Sequence, residues 1–239
     1  PTRYKNIPDR PLLLYANGDL SALNTDYAVA IIGTREPTEW GEKAGRRLAT
    51  LFTEKGFVIV SGLAKGCDTS AHQGCLDAHG KTVAILGGGI DHIYPKENKP
   101  LADKILDTGG CLLSEYEPGM RPQKSSFVER DRLQSGLSQA VIVIETDVKG
   151  GSMHTVGFAF EQKRLVACLG GHPDLYQSHP KIQGTRKLIL DGKASRLSSP
   201  EEIAAFMGKL TTPIQESPAP PLNHPTLPPV DPGKQGKLF

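Results

Sequence analysis

Residues 28–41 read AVAIIGTREPTEWG. Five apolar residues run without a polar interruption, then comes a glycine, a polar turn carrying Arg35, and the start of a helix-spaced pattern. A half-exposed strand alternates apolar and polar side chains. An unbroken run rich in Ile and Val reads instead as a strand buried on both faces, which requires helices on either side of the sheet. The stretch therefore describes a strand, a glycine turn and a helix, the unit from which parallel α/β sheets are built.

The same grammar repeats along the 239 residues. Further apolar runs occur at 57–60 (FVIV), 82–86 (TVAIL), 111–114 (CLLS), 140–144 (AVIVI) and 165–169 (LVACL). Helical patterns lie between them. Residues 38–56 place Ala44, Leu48, Leu51 and Phe52 on one face and stop at Gly56. Residues 68–80 open on Asp68 as a cap, and residues 152–164 open on Ser152. Strands alternating with helices predict an extended Rossmann-like, doubly wound and mostly parallel sheet with helices on both faces. Residues 1–26 form a lead-in segment packed on the main domain, which spans 27–210. From 211 onward the chain holds eight of its nineteen prolines, so 211–239 reads as an extended proline-rich tail.

Totals set limits on function. Twenty-eight basic residues face 26 acidic ones, a formal net charge of +2, so any nucleic-acid site must be a local patch rather than a global field. The four cysteines (67, 75, 111, 168) form no CxxC pair and no zinc spacing, and suit small half-buried thiols in a reducing cytoplasm. The polar N-terminus resembles no signal peptide, and no apolar run is long enough to span a membrane. A soluble cytoplasmic protein is expected, with no metal and no cofactor.

In doubly wound sheets ligands sit beyond the carboxyl ends of the strands. The segments there are mostly glycine-bearing: 33–41, 61–68, 87–95, 114–127, 145–155 and 170–174. Such turns bring backbone N–H groups to an anion, which makes Gly33, Gly62, Lys65, Gly150, Gly151 and Ser152 candidate phosphate contacts. The P-loop, the dinucleotide fingerprint and the nucleophile elbow are all missing from the sequence. Ser61 has no His/Asp pair placed to activate it, and the scattered histidines, His72 among them, read as helix-surface or capping residues. Arg35 is open to two readings: a surface arginine paired with Glu36 or Glu39, or a phosphate clamp. The segment RPQKSSFVERDRLQSGLS (121–138) reads as a loop in which Arg121, Lys124, Arg130 and Arg132 surround an exposed Phe127. Basic residues around a ring hold a phosphate chain and stack a base; the alternative is that Phe127 anchors the loop to the core and Asp131 neutralises its arginines.

Taken in order, VAIIGTREPTEWG, VSGLAKGCDTSAHQGCLDAHGKTVAILGGGIDHIYPKEN, LLSEYEPG, FVERDRLQSGLSQAVIVIET, GGSMHTVGFAFEQKRLVACLGG and GTRKLILDGKA resemble the DNA-processing protein A family, also called Smf, over roughly residues 4–195. The resemblance implies single-stranded DNA binding, a homodimer and delivery of the strand to a RecA-type recombinase during natural transformation, with no catalytic residue. It places DNA contacts on Arg35, Lys124 and Phe127, and the family's Arg-Asn-Arg stretch on Arg130, Asp131 and Arg132. Asp131 replaces the usual Asn, GGSMHT a commoner Ser-Gly-Ser-Leu-Ile-Thr, Leu169 a Pro and Arg186 an Asn. A short, divergent member without the family's trailing winged-helix domain is implied. The terminal QGKLF resembles a sliding-clamp docking peptide with Gln235, Leu238 and Phe239 as anchors, against the alternative of a chance match. The competing functional reading is a nucleotide-binding sensor or phosphoribohydrolase-like enzyme. It lacks that class's Pro-Gly-Gly-x-Gly-Thr motif and leaves Glu115 and Asp91 as the loop carboxylates to test, each of which also suits a loop-fixing acceptor.

Overall fold

The computed structural model describes residues 2–5, 7–25 and 27–211. The docking residues Gln235, Leu238 and Phe239, and the tail beyond Thr211, lie outside the described residues. Strands are β1 (Tyr15–Gly18), β2 (Ala28–Ile32), β3 (Val58–Ser61), β4 (Thr82–Ile85), β5 (Cys111–Ser114), β6 (Ala140–Val143), β7 (Leu165–Leu169) and β8 (Ser195–Leu197). Helices are α1 (Thr2–Lys5), α2 (Glu39–Glu54), α3 (Cys67–Asp77), α4 (Lys99–Asp107), α5 (Lys124–Gly136), α6 (Ser152–Glu161), α7 (Pro180–Leu190) and α8 (Pro200–Thr211).

The strands form one sheet in the order β1-β5-β4-β3-β2-β6-β7-β8, parallel throughout except for β1, which pairs antiparallel with β5. The run 28–32 lies at the centre and is buried along its whole length. Its side chains divide between the two faces. Ala28, Ala30 and Ile32 pack with Leu133 of α5, with Leu137 just after it, and with Val156 and Ala159 of α6. Val29 and Ile31 pack on the other side with Leu48 and Phe52 of α2, Ala71 and Cys75 of α3, and Phe206 of α8. The lack of alternation in the sequence is thus the signature of two cores sharing one strand. A smaller core of Leu63, Leu76, Ala84, Ile105 and Leu112 lies under α4.

Three local expectations change. Helix α3 is not capped by Asp68: Gly66 precedes it with φ +76°, and Asp68 turns inward to accept from the N–H groups of Gly62 (3.2 Å) and Ala64 (3.4 Å). His72 is a core residue, not a surface one. Its Nδ1 lies 2.7 Å from Thr82 Oγ1, and that hydroxyl donates to Ile59 O, so Nδ1 carries the proton. Burial lowers the His72 pKa to about 3, which keeps the ring neutral. The cysteines are fully buried rather than half-buried.

Helices α2 and α3 approach unusually closely at Gly74. A Cβ there would lie 2.0 Å from Arg46 O and 2.9 Å from the Ala49 methyl. Thr50 Oγ1 donates to Gly74 O across the same contact at 2.9 Å. Gly74→Ala should therefore destabilise by about 1–3 kcal/mol through overpacking. A urea titration checks this: the midpoint should fall with the slope unchanged.

Candidate nucleic-acid interface

The chain leaves β2 toward β3 on one side and returns after β5 to place β6 on the other side of β2. This reversal opens a crevice beyond the carboxyl ends of β2 and β6, where doubly wound sheets hold ligands. Glu145, just after β6, ties the crevice together. Its carboxylate accepts from Thr38 N–H and Thr38 Oγ1–H, both at 2.7 Å, and lies 3.1 Å from His172 Nε2. Its backbone oxygen accepts from Thr34 N–H at 2.7 Å. Thr38 in turn caps α2 by accepting from Gly41 N–H at 3.0 Å. Glu145 is fully buried, and it sits where the α2 N-terminus favours a negative charge. His172 is backed by the ring of Trp40 at 4.5 Å.

This anchorage projects Arg35 from the first turn. Arg35 is exposed and pairs with neither Glu36 nor Glu39, which instead reach Lys181 (3.5 Å) and Lys43 (2.6 Å). Its guanidinium carbon lies 5.5 Å from the centre of the Phe127 ring. Phe127 belongs to α5: the segment expected to be a loop is a 13-residue helix from Lys124 onward. Ser126 anchors its first turn by bonding Gly87 O and accepting from Gln123 N–H at 2.9 Å. Lys124 is exposed at the helix start and forms no ion pair among the described residues. The Tyr94 ring lies 5.4 Å from that of Phe127, tilted by 45°.

A cavity of about 830 Å³ runs between α5 and α6. It brings together Gly33, Arg35, Lys124, Phe127 and Arg130 with Gly150, Gly151 and Ser152 at the start of α6. Ser152 does not cap that helix; Gly151 precedes it and no side chain closes its end, while the N–H groups of Gly150, Met153 and His154 donate to the carbonyls of Asp147, Gly150 and Gly151. Lys181, His154 and Tyr94 also line the space and were not signalled by the sequence. Gly62 and Lys65 border a smaller adjoining recess, and Lys65 is bridged to Glu97 at 3.0 Å.

The two arginines of α5 diverge. Arg130 lies in the floor. Its Nη1 donates to Ile85 O at 3.0 Å, and its plane lies flat on Gly62, where a Cβ would come within 1.7 Å of Nη1. Arg132 does not reach the cavity. It grips Glu115 through two bonds of 2.8 and 2.6 Å and meets Asp9 at 2.8 Å, fastening the lead-in segment to α5. The expectation of Arg132 as a DNA contact is corrected accordingly: its charge is neutralised by two carboxylates. Glu115 and Asp91 are loop-fixing acceptors, the latter taking Gly119 N–H at 2.8 Å.

Asp131 borders the cavity, with its Oδ1 3.3 Å from Arg130 Nε and 2.7 Å from Gln134 Nε2. Burial raises its pKa to about 6, against the opposing pull of Arg130; nearby Asp68 adds to the rise. Asp68 is itself raised by burial. The cavity thus has a cationic rim, the glycine-bearing start of α6 on one wall, a ring at the mouth, and a floor where one arginine meets two acids. That arrangement suits a phosphate chain carrying planar groups. No cluster of metal-ligating residues occurs among the described residues.

The family model described as DNA recombination-mediator protein A matches residues 1–208. The chain belongs to the DNA recombination-mediator protein A family. It is 41% identical over 203 residues to the DNA processing protein DprA of Bacillus subtilis, a match covering 85% of this chain and 66% of the relative. This chain therefore spans just under two thirds of the relative's length. The crystal structure of DprA from Streptococcus pneumoniae superposes with a TM-score of 0.77 at 37% identity, covering 86% of this chain and 70% of that one. The DNA processing protein A of Helicobacter pylori, described in a single-stranded DNA binding mode, gives a TM-score of 0.77 at 33% identity over 88% and 92% of the two chains. No described helix of this family member is long and apolar enough to cross a membrane.

Replacing Glu145 leaves Thr38, the α2 N-terminus and His172 without their common acceptor. Glu145→Ala should cost about 3 kcal/mol, measured as a lowered urea midpoint, whereas Glu145→Gln should cost less because its amide oxygen still accepts one bond.

Proposed function

We propose that this chain binds single-stranded DNA in the crevice between α5 and α6. The observation that carries this reading is the Arg35–Phe127 pair at the mouth, with Lys124 one turn away on the helix and, among the described residues, no carboxylate taking either cation. Arg35, Lys124 and the α6 N-terminus hold phosphates, and the aromatic mouth receives a base. The single-stranded DNA binding described for the Helicobacter pylori relative supports the assignment. On the family resemblance we further propose that the protein acts as a homodimer in the cytoplasm, is not an enzyme, and hands its strand to a RecA-type recombinase.

Fluorescence anisotropy of a labelled oligo-dT across a salt series tests the site. Arg35→Ala/Lys124→Ala should lower the salt slope by about 1 to 1.5, since each lost phosphate contact removes about 0.7 from the slope on single strands. Arg132→Ala should leave the slope unchanged and reduce thermal stability instead. Undiminished binding by the Arg35/Lys124 double variant would refute the assignment. Stimulation of RecA filament formation on oligo-dT, absent in that same variant, tests the handover.

The enzymatic alternative has one feature in its favour, a cavity carboxyl, Asp131, whose pKa burial raises to about 6. Free base released from a nucleoside monophosphate by the purified protein would decide for it.

Asp131 also makes binding depend on pH. The groups facing it are Arg130 and Gln134 on its own helix, Asp68 from α3, and Thr155 from α6. An incoming phosphate favours the protonated carboxyl, so binding takes up a proton and affinity must rise as pH falls through about 6. Between pH 7.5 and 5 the expected gain is roughly three- to tenfold, the equivalent of about 1 kcal/mol of charge repulsion across the site. Asp131→Asn should remove this gain and bind at pH 7.5 as the wild type does at pH 5. An equal pH profile in both proteins would exclude Asp131 as its source.

A further inference from the structure

Arg35 and Glu36 are neighbours in the chain but reach different walls of the large cavity. Arg35 lies over the Phe127 ring of α5, whereas Glu36 reaches Lys181 of α7. Lys181 Nζ lies 3.5 Å from Glu36 Oε2 and 3.5 Å from Asp147 Oδ2, and all three residues line the cavity. Three separate segments meet at this lysine: the turn after β2, the turn after β6, and the start of α7. The helix itself holds Lys181 there. Gly184, about one turn on, donates its N–H to Thr146 O at 2.8 Å, and a Cβ at Gly184 would lie 2.5 Å from Asp147 O. The start of α7 is thus pressed against the β6 turn, and Lys181 stays beside Asp147. One ammonium faces two carboxylates, so the trio is net negative, whereas the Arg35 and Lys124 side of the cavity is cationic. Both contacts are longer than the roughly 2.7–2.9 Å of a tight ammonium–carboxylate bond. The Glu36 side chain is 81% exposed and that of Lys181 27%, so the contact is wet and easily broken.

We propose that Glu36 and Asp147 form an autoinhibitory latch on Lys181, one that withholds a phosphate contact from the strand-binding groove. While latched, the lysine attracts no phosphate, because two adjacent carboxylates offset its charge. Once released, it adds a third cation to those of Arg35 and Lys124 on the border of the same cavity. The proposal rests on the groove reading above and adds its regulation. The resting groove binds more weakly than its lysines and arginines allow, so a bound strand leaves more readily.

Anisotropy of labelled oligo-dT across a salt series reads both affinity and slope. Glu36→Gln/Asp147→Asn removes the two charges and keeps the side-chain shapes. It should steepen the slope by about 0.7, one added phosphate contact on a single strand, and tighten binding roughly fivefold at about 0.1 M salt. Lys181→Ala alone should leave the slope unchanged. Added to the double variant, Lys181→Ala should return the slope to that of the wild type, whereas Lys181→Arg should keep the gain. Thermal melts accompany every variant, and Lys181→Met, which preserves the apolar stem, replaces Lys181→Ala if the latter melts early. A gain that survives loss of the lysine is simple relief of repulsion and overturns the latch. So does the absence of any gain in Glu36→Gln/Asp147→Asn, or a slope lowered by Lys181→Ala alone. If Arg35→Ala/Lys124→Ala lowers the slope while Glu36→Gln/Asp147→Asn does not raise it, the latch alone is wrong. If Arg35→Ala/Lys124→Ala binds normally, the groove reading fails and the latch falls with it.

Discussion

The functional geometry hangs on one buried carboxylate. Glu145 leaves the central strand pair at the point where the sheet reverses, and its side chain reaches back to the turn after β2. A carboxylate in a dry interior must be surrounded by donors. Here those donors are the cap of α2, a histidine from the turn after β7, and the positive end of a helix. The need to satisfy the charge therefore fixes three separate segments relative to one another. Arg35 needs no partner of its own to be held, because the turn that carries it is fastened at Thr34 and Thr38 on either side.

With the rim fixed in this way, the floor can be less cationic. Arg130 has the carboxyl groups of Asp68 and Asp131 near it, and the charge they carry offsets its own. A groove with a fully cationic floor would grip a phosphate chain strongly along its whole length. This one concentrates attraction at the mouth and leaves the interior to hydrogen bonding and ring contact. That division fits a protein whose overall charge is close to balance.

How much of this the sequence carried depends on what kind of signal each element left. The strands were legible because a run such as 140–144 has to be apolar on both faces, and the structure places β6 at Ala140–Val143. Helix α5 was not legible. Its cavity face is lined by Phe127, Arg130, Asp131 and Gln134 rather than by aliphatic residues, so no apolar stripe marks it and its charges read as solvent-facing. Arg132 looked like a nucleic-acid contact for the same reason; its true partners, Asp9 and Glu115, lie 123 and 17 residues away. Glu145 and His172 escaped notice because a buried side-chain contact has no periodicity, and each residue alone is an ordinary loop residue. Arg35, Lys124 and Phe127 were identified by residue type and by resemblance, and the fold brings them to one cavity.

The sheet order has a further consequence, for how the domain is made. β2 pairs with β3 after a connection of one helix, but its other neighbour, β6, lies more than a hundred residues later in the chain. During synthesis this wholly buried central strand therefore keeps one flank unpaired while β3, α3, β4, α4, β5 and α5 are still emerging. An unpaired central strand is a template for mispairing, and closing a contact over so long a loop is slow. The seam beside the proposed binding crevice thus closes only after the β2–β3–β4–β5 side of the sheet has been made. The place proposed to receive the strand is also where the nascent chain stays vulnerable for long.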